Sequence, residues 1–143
     1  MAIENVMCVS AKLAMLNGEL DFSTDTTQTF RLALYTDTAT LGSSTAAYTT
    51  DDEVADGGGY SAGGELMTLA GAPTSSGVQA YIDFDNVTWT GATITARGAM
   101  AYVVGDGTAL FTLDFGENKT VSGGNYVVNI PAPAAGSAIF RLT

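Results

Sequence analysis

Asp83 and Asp85 stand two apart in "IDFD", a spacing that puts both carboxylates on one face of a regular strand. Paired carboxylates could support glycoside hydrolysis, one as acid and the other as base or nucleophile. Two acids on one face of a strand are more often a solvated edge, and the aromatic density of a sugar cleft is missing. "TTDDEVADGGG" (Thr49–Gly59) gathers Asp51, Asp52, Glu53 and Asp56. Hard cations such as calcium take carboxylate oxygens, but the alternating acids, central Gly and late Glu of an EF-hand are absent. A solvated acidic loop is the expectation.

The chain contains no histidine and a single cysteine, Cys8. A Ser-His-Asp triad and a Cys-His pair are therefore impossible. Zinc needs clustered Cys and His. Cys8 reads as a small buried hydrophobe beside a helical apolar stripe. "GGGYSAGG" (Gly57–Gly64) has the glycines of a phosphate-cradling loop without the following Lys-Ser/Thr, and no helical pattern follows it. Trp89 could stack on a sugar or a partner, and its place in an apolar strand favours a core anchor. Arg97 stands alone among small residues. It is expected to pair with Asp83 or Asp85, or to reach across an interface, where Arg is enriched. No catalytic, cofactor-binding or metal-binding residue is assigned, and the chain is not expected to be an enzyme.

The elements that would carry these residues are mostly strands. Residues 4–17 are the one good helix, with Val6, Val9, Leu13 and Leu16 at helical spacing and Asn17-Gly18 as its stop. Their stripe must pack on something, because a helix this short is marginal alone. "TFRLALYT" (Thr29–Thr36) alternates like a half-buried strand. Residues 37–59 form a long polar loop. "ELMTLAG" and "GVQAYIDF" add strands. "VTWTGATITARGAMAYVV" is one long strand with a glycine bulge, or two strands bent at Gly91 and Gly98. "GDG" (Gly105–Gly107) is the plainest hairpin turn. "TALFTLDFG", "NYVVNI" and "SAIFRLT" complete roughly eight strands, with Pro131 and Pro133 ending the penultimate one. The expected fold is all-β: an antiparallel β-sandwich of jelly-roll or Greek-key type with one short N-terminal helix. A single domain over 1–143 is expected, with 1–18 as helix or arm.

Five basic residues face fifteen acidic ones, a net charge of −10. Nucleic acid is an unexpected partner, because phosphates must be neutralised by Lys and Arg. An anionic membrane surface is disfavoured likewise, and no apolar run is long enough for a spanning helix. A basic protein surface would be attracted. The first residues lack a signal peptide's pattern, and a reducing cytoplasm is the expected site of synthesis.

In order, "TFRLALYT", "AAYTTDDEV", "GGGYSAGG", "DFDNVTWTGATITARGAMAY" and "LFTLDFG" follow a short N-terminal helix. This order resembles the capsid decoration, or cement, proteins of tailed bacteriophages, over about Leu16 to Phe115. The resemblance implies a β-sandwich on the outer face of the capsid, assembled in the host bacterial cytoplasm. It implies a virion structural protein that bridges and stabilises major capsid subunits, as a homodimer or homotrimer and without a cofactor. Position and exposure then point to the N-terminal segment and to Asp51, Asp52, Glu53, Asp56, Arg97, Phe140 and Arg141 as capsid contacts, with Trp89 as core anchor. A tail- or fibre-associated virion protein and a carbohydrate-binding module are the alternatives. The first would need long trimerising repeats, and the second a row of exposed aromatics. A small β-sandwich hydrolase would need convergent groups that this chain lacks.

Overall fold

The computed structural model describes residues 2–130 and the backbone of 141–142. The elements run β1 (Val6–Met7), α1 (Val9–Leu16), β2 (Phe30–Tyr35), β3 (Glu65–Met67), β4 (Thr74–Ser76), β5 (Gln79–Tyr81), β6 (Val87–Val103), β7 (Ala109–Val128) and β8 (Arg141–Leu142). Five strands form one sheet in the order β1-β7-β6-β2-β3, and three form a second in the order β4-β5-β8. Every strand pair is antiparallel. Among the described residues the protein is thus all-β with one short helix, as its turn-punctuated sequence predicts.

β6 and β7 are joined through the Gly105–Gly107 turn and form the longest pairing in the molecule. β6 is one strand, and its register shifts at four places: between Trp89 and Ala92, Ala92 and Thr93, Ala96 and Gly98, and Ala101 and Tyr102. Gly91 sits at the first shift with φ +58, a conformation that L side chains rarely adopt. The glycines therefore bend one strand and do not divide it. β7 departs from expectation. The sequence predicts two strands, 108–116 and 125–130, with "ENKTVSGG" as a break. The chain instead runs on as one strand, unpaired at 115–118 and paired again from Lys119, because β6 offers partners there. Thr95 and Thr120 face each other and share a hydroxyl hydrogen bond of 2.9 Å. Gly123 N donates to Thr93 Oγ1 at 3.1 Å. Cross-strand pairing overrides weak local propensity.

Alternation in β2 predicts a half-buried strand. All its residues except Arg31 are buried. On one face Phe30, Leu32 and Leu34 join the larger core with Trp89, Phe111 and Phe84. On the other, Ala33 and Tyr35 join a second core with Ile3, Cys8, Leu41, Met100 and Tyr102. The supposed polar loop 37–59 supplies part of that cover, since Ala39 and Leu41 are buried. A strand buried on both faces loses the alternation that marks a half-exposed one.

The helix is shorter than predicted and turned over. Val6 and Met7 pair with Thr112 and Phe111 as β1, so the helix begins only at Val9. It ends at Asn17-Gly18, as expected. The predicted apolar stripe faces outward: Val9 is 55% exposed, Leu13 58% and Leu16 86%. Ala11 and Ala14 are the buried residues. β1 sets the rotation of the following turn, and small side chains let the helix lie close to the sheet. Ser10 Oγ donates to Ala109 O at 2.7 Å and pins that rotation.

Gly64 shows how tightly the loops press on the frame. Its φ is +79, and a Cβ there would overlap the carbonyl of Leu32 in β2. Gly64→Ala should lower unfolding stability by about 3 kcal/mol or more, through left-handed strain and a backbone clash. Urea unfolding with an unchanged m-value is the check.

Candidate functional site

The acidic segment is fastened along β2. Tyr35 and Glu53 form an isolated antiparallel bridge. Val54 N donates to Leu34 O at 2.9 Å, and Thr36 N to Asp52 O at 2.9 Å. Farther on, Thr93 N donates to Gly58 O at 2.7 Å, tying the glycine-rich stretch to β6. The glycines of "GGGYSAGG" thus serve close backbone approach.

Glu53 is the centre of this arrangement. Its Oε2 accepts the Tyr48 hydroxyl at 2.6 Å. Its Oε1 accepts the Tyr60 hydroxyl at 2.6 Å and Gly63 N at 2.6 Å. Tyr60 Oη in turn accepts Leu34 N at 3.0 Å. Tyr102 donates to Gly63 O at 2.6 Å, and Tyr35 to Thr49 O at 2.6 Å. The Tyr48 and Tyr102 rings stack with centroids 4.4 Å apart. Burial, followed by Glu53, pushes the Tyr35, Tyr48 and Tyr60 phenols well above their ordinary range. They are neutral donors at physiological pH, so the cluster clasps the loop and offers no tyrosinate nucleophile.

The other acids of the segment have different tasks. Asp52 adopts φ +61, and its Oδ1 accepts the Thr38 hydroxyl at 2.6 Å. Asp56 Oδ1 accepts Ala62 N at 2.5 Å. Both hold turns while staying exposed, and Asp51 is exposed as well. Of the four acids expected as contacts, Glu53 is half-buried and internally engaged. Among the described residues, no group of three or more Cys, Asp or Glu side chains could hold a metal ion.

Arg97 pairs with neither Asp83 nor Asp85. Its Nε donates to Asp114 Oδ1 at 2.8 Å. The reason is register: Gly98 lies opposite Asp114, at the shift between Ala96 and Gly98. Asp83 and Asp85 precede β6 and flank Phe84, which bridges to Leu69. The Arg97 guanidinium holds the Asp114 carboxyl below the usual carboxylate range. Asp85 is exposed, whereas Asp83 is half-buried with one carboxylate oxygen enclosed and unpartnered. Burial raises the Asp83 pKa, and the Asp85 charge adds to this.

Trp89 is 2% exposed in the larger core, with the Tyr60 and Tyr126 rings each 6.1 Å away. Cys8 is fully buried, and burial pushes its thiol up to about 11, which keeps it protonated and unreactive at neutral pH. Phe140 lies outside the described residues. The backbone of Arg141 pairs with Tyr81 in the second sheet. Sequence reading missed two features: the tyrosine clasp and the outward apolar face of α1. Glu53 belongs to an acidic run that looks solvated, and its partners come from positions 48, 60 and 63.

No family model, curated protein or solved structure matches this chain.

Glu53→Ala should cost about 3 kcal/mol in urea unfolding, because two tyrosine hydroxyls and one amide lose a shared acceptor. Alkali should act through the same phenols. Their folded-state pKa values exceed that of an unfolded tyrosine, about 10, so their stabilising effect is complete below pH ~10 and falls above it. Tyr126, pushed up to about 12 by burial, belongs to the same set. Circular dichroism should therefore hold steady from pH 7 to about 10 and then collapse, with tyrosinate absorbance rising during unfolding and not before it.

Proposed function

We propose that this protein is a virion structural protein that binds the outside of a phage capsid and braces its major capsid subunits. The reading rests on the order of motifs along the chain and on one structural observation. Val9, Leu13 and Leu16 form an exposed apolar row on a helix whose position is fixed. Cys8 N donates to Leu110 O at 2.9 Å, Val9 N to Ser43 O at 2.9 Å, and Ser10 Oγ to Ala109 O. A preordered apolar ridge of this kind loses little conformational entropy on docking.

The charge supports the same reading. The −10 body favours a basic docking surface and accelerates encounter with it. Asp51, Asp52 and Asp56 lie exposed on a clasped loop and would add to the attraction. Each copy buries modest area, and many copies on one particle multiply the effect. Copies grouped as dimers or trimers on the shell would strengthen this further. The work is adhesion, with no turnover.

The test mixes purified protein with empty, expanded shells of the phage that encodes it. Co-sedimentation should saturate, and the shells should rupture at a higher temperature. The double variant Leu13→Ser/Leu16→Ser should unfold within about 0.5 kcal/mol of the parent, because both side chains are exposed. It should bind shells at least ~10-fold more weakly, the loss expected when about 1.4 kcal/mol of apolar contact is removed. Binding should also weaken toward ~1 M salt, where the Debye length is only about 3 Å. Unaltered binding by the variant, or retention on polysaccharide resin with no shell binding, would contradict the proposal.

A further inference from the structure

β7 has an open flank. β1 covers it only at Phe111 and Thr112. Beyond Thr112 it is paired with β6 on one side at Leu113–Asp114 and again over Lys119–Val128, and no strand lies on the other among the described residues. In an antiparallel strand, alternate residues turn their N–H and C=O groups away from the existing partner. An unpaired edge of this kind is a template for another strand. At its near end, side chains stand in for that strand: Asn5 Oδ1 accepts Asp114 N at 2.8 Å, and Asp114 Oδ1 accepts Gly116 N at 2.9 Å.

A groove of about 600 Å³ is lined by residues of this stretch, 113–115, 119–121 and 125–129, together with Asn5. Leu113, Phe115, Val121 and Tyr126 are its main apolar lining, and Asn5, Asn125, Asp114 and Lys119 line it with polar and oppositely charged groups. Tyr126 is 3% exposed, and its hydroxyl is buried without a hydrogen-bond partner. A buried orphan hydroxyl is unfavourable, and a donor or acceptor brought into the groove would relieve it. A peptide backbone supplies both.

We propose that the β7 edge and its groove bind an extended peptide strand of a partner protein, with apolar residues at alternate positions and lysine or arginine beside them. The unpaired backbone specifies a strand, and the apolar lining specifies its inward residues. The chain's charge of −10 specifies the sign of the rest and disfavours pairing with a second copy. The inference goes beyond shell binding and holds for any partner carrying such a strand.

The probe is a display library of short random peptides, selected on the full chain, followed by synthesis of the enriched peptide. The enriched sequences should alternate apolar residues and carry Lys or Arg. The synthetic peptide should slow amide exchange along 113–128. Val121→Arg, which fills the groove, should abolish binding. Tyr126→Phe keeps the ring and removes only the hydroxyl. It should weaken binding about tenfold, the equivalent of one hydrogen bond, while the free protein stays at least as stable. A merely structural hydroxyl would lower stability and leave affinity alone. The proposal fails if no peptide is enriched, if acidic peptides are enriched, or if both variants bind as tightly as the parent. It also fails if protection falls elsewhere, or if the unliganded protein dimerises with the same amides protected.

Discussion

The β6–β7 ladder is the constraint on which the rest of the molecule is arranged. It joins a strand of 17 residues to one of 20. β2 lies along the inner half of β6, from Gly98 to Val103, and β3 lies outside β2. β1 pairs with β7 at the same level as that inner half and thereby sets where the helix begins. The larger core takes side chains from both halves of β6, with Val87, Trp89 and Ile94 from one and Ala99, Ala101 and Val103 from the other. Four register shifts interrupt the ladder, and one cluster serves both halves.

A frame of this kind leaves function to what is fastened on it. The loop through residues 49–64 is held by a carboxylate that accepts from two tyrosines and an amide, so its exposed acids sit on a fixed platform. The helix is held by its alanine face and by backbone contacts, so its leucines are free to meet a partner. Among the described residues the protein thus presents surfaces of different character: an acidic loop, an apolar ridge and a strand edge with no neighbouring strand. Preorganised surfaces favour binding because little order remains to be imposed.

Much of the frame is legible in the residues, and the failures share a cause. β2, β5, β6 and the Gly105–Gly107 turn follow from alternation and glycine punctuation, and so does the helix end at Asn17-Gly18. Local pattern could not show that β6 would pair with 119–122 of "ENKTVSGG", because that depends on a strand some 25 residues away. Nor could it orient α1. Periodicity locates an apolar face, but Ser10 and β1 decide which face turns inward. Arg97 meets Asp114 for a similar reason: charge identifies a partner type, and register chooses the partner. Glu53 is legible as an acid and illegible as a hub, since two of its three donors sit in the glycine-rich stretch that follows. The surfaces proposed for binding stand at the same limit, because exposure is a property of the assembled fold.

Residue-resolved amide hydrogen exchange on the free protein tests the ladder's role most directly. If the hairpin is one cooperative frame, the paired amides of 87–96 and of 98–103 should exchange through a common opening. Their free energies should match each other and the global unfolding value, with the same dependence on denaturant. If 87–96 opens at a clearly lower free energy and with a shallower slope, the outer half folds as a separate unit and the ladder is not the frame of the molecule.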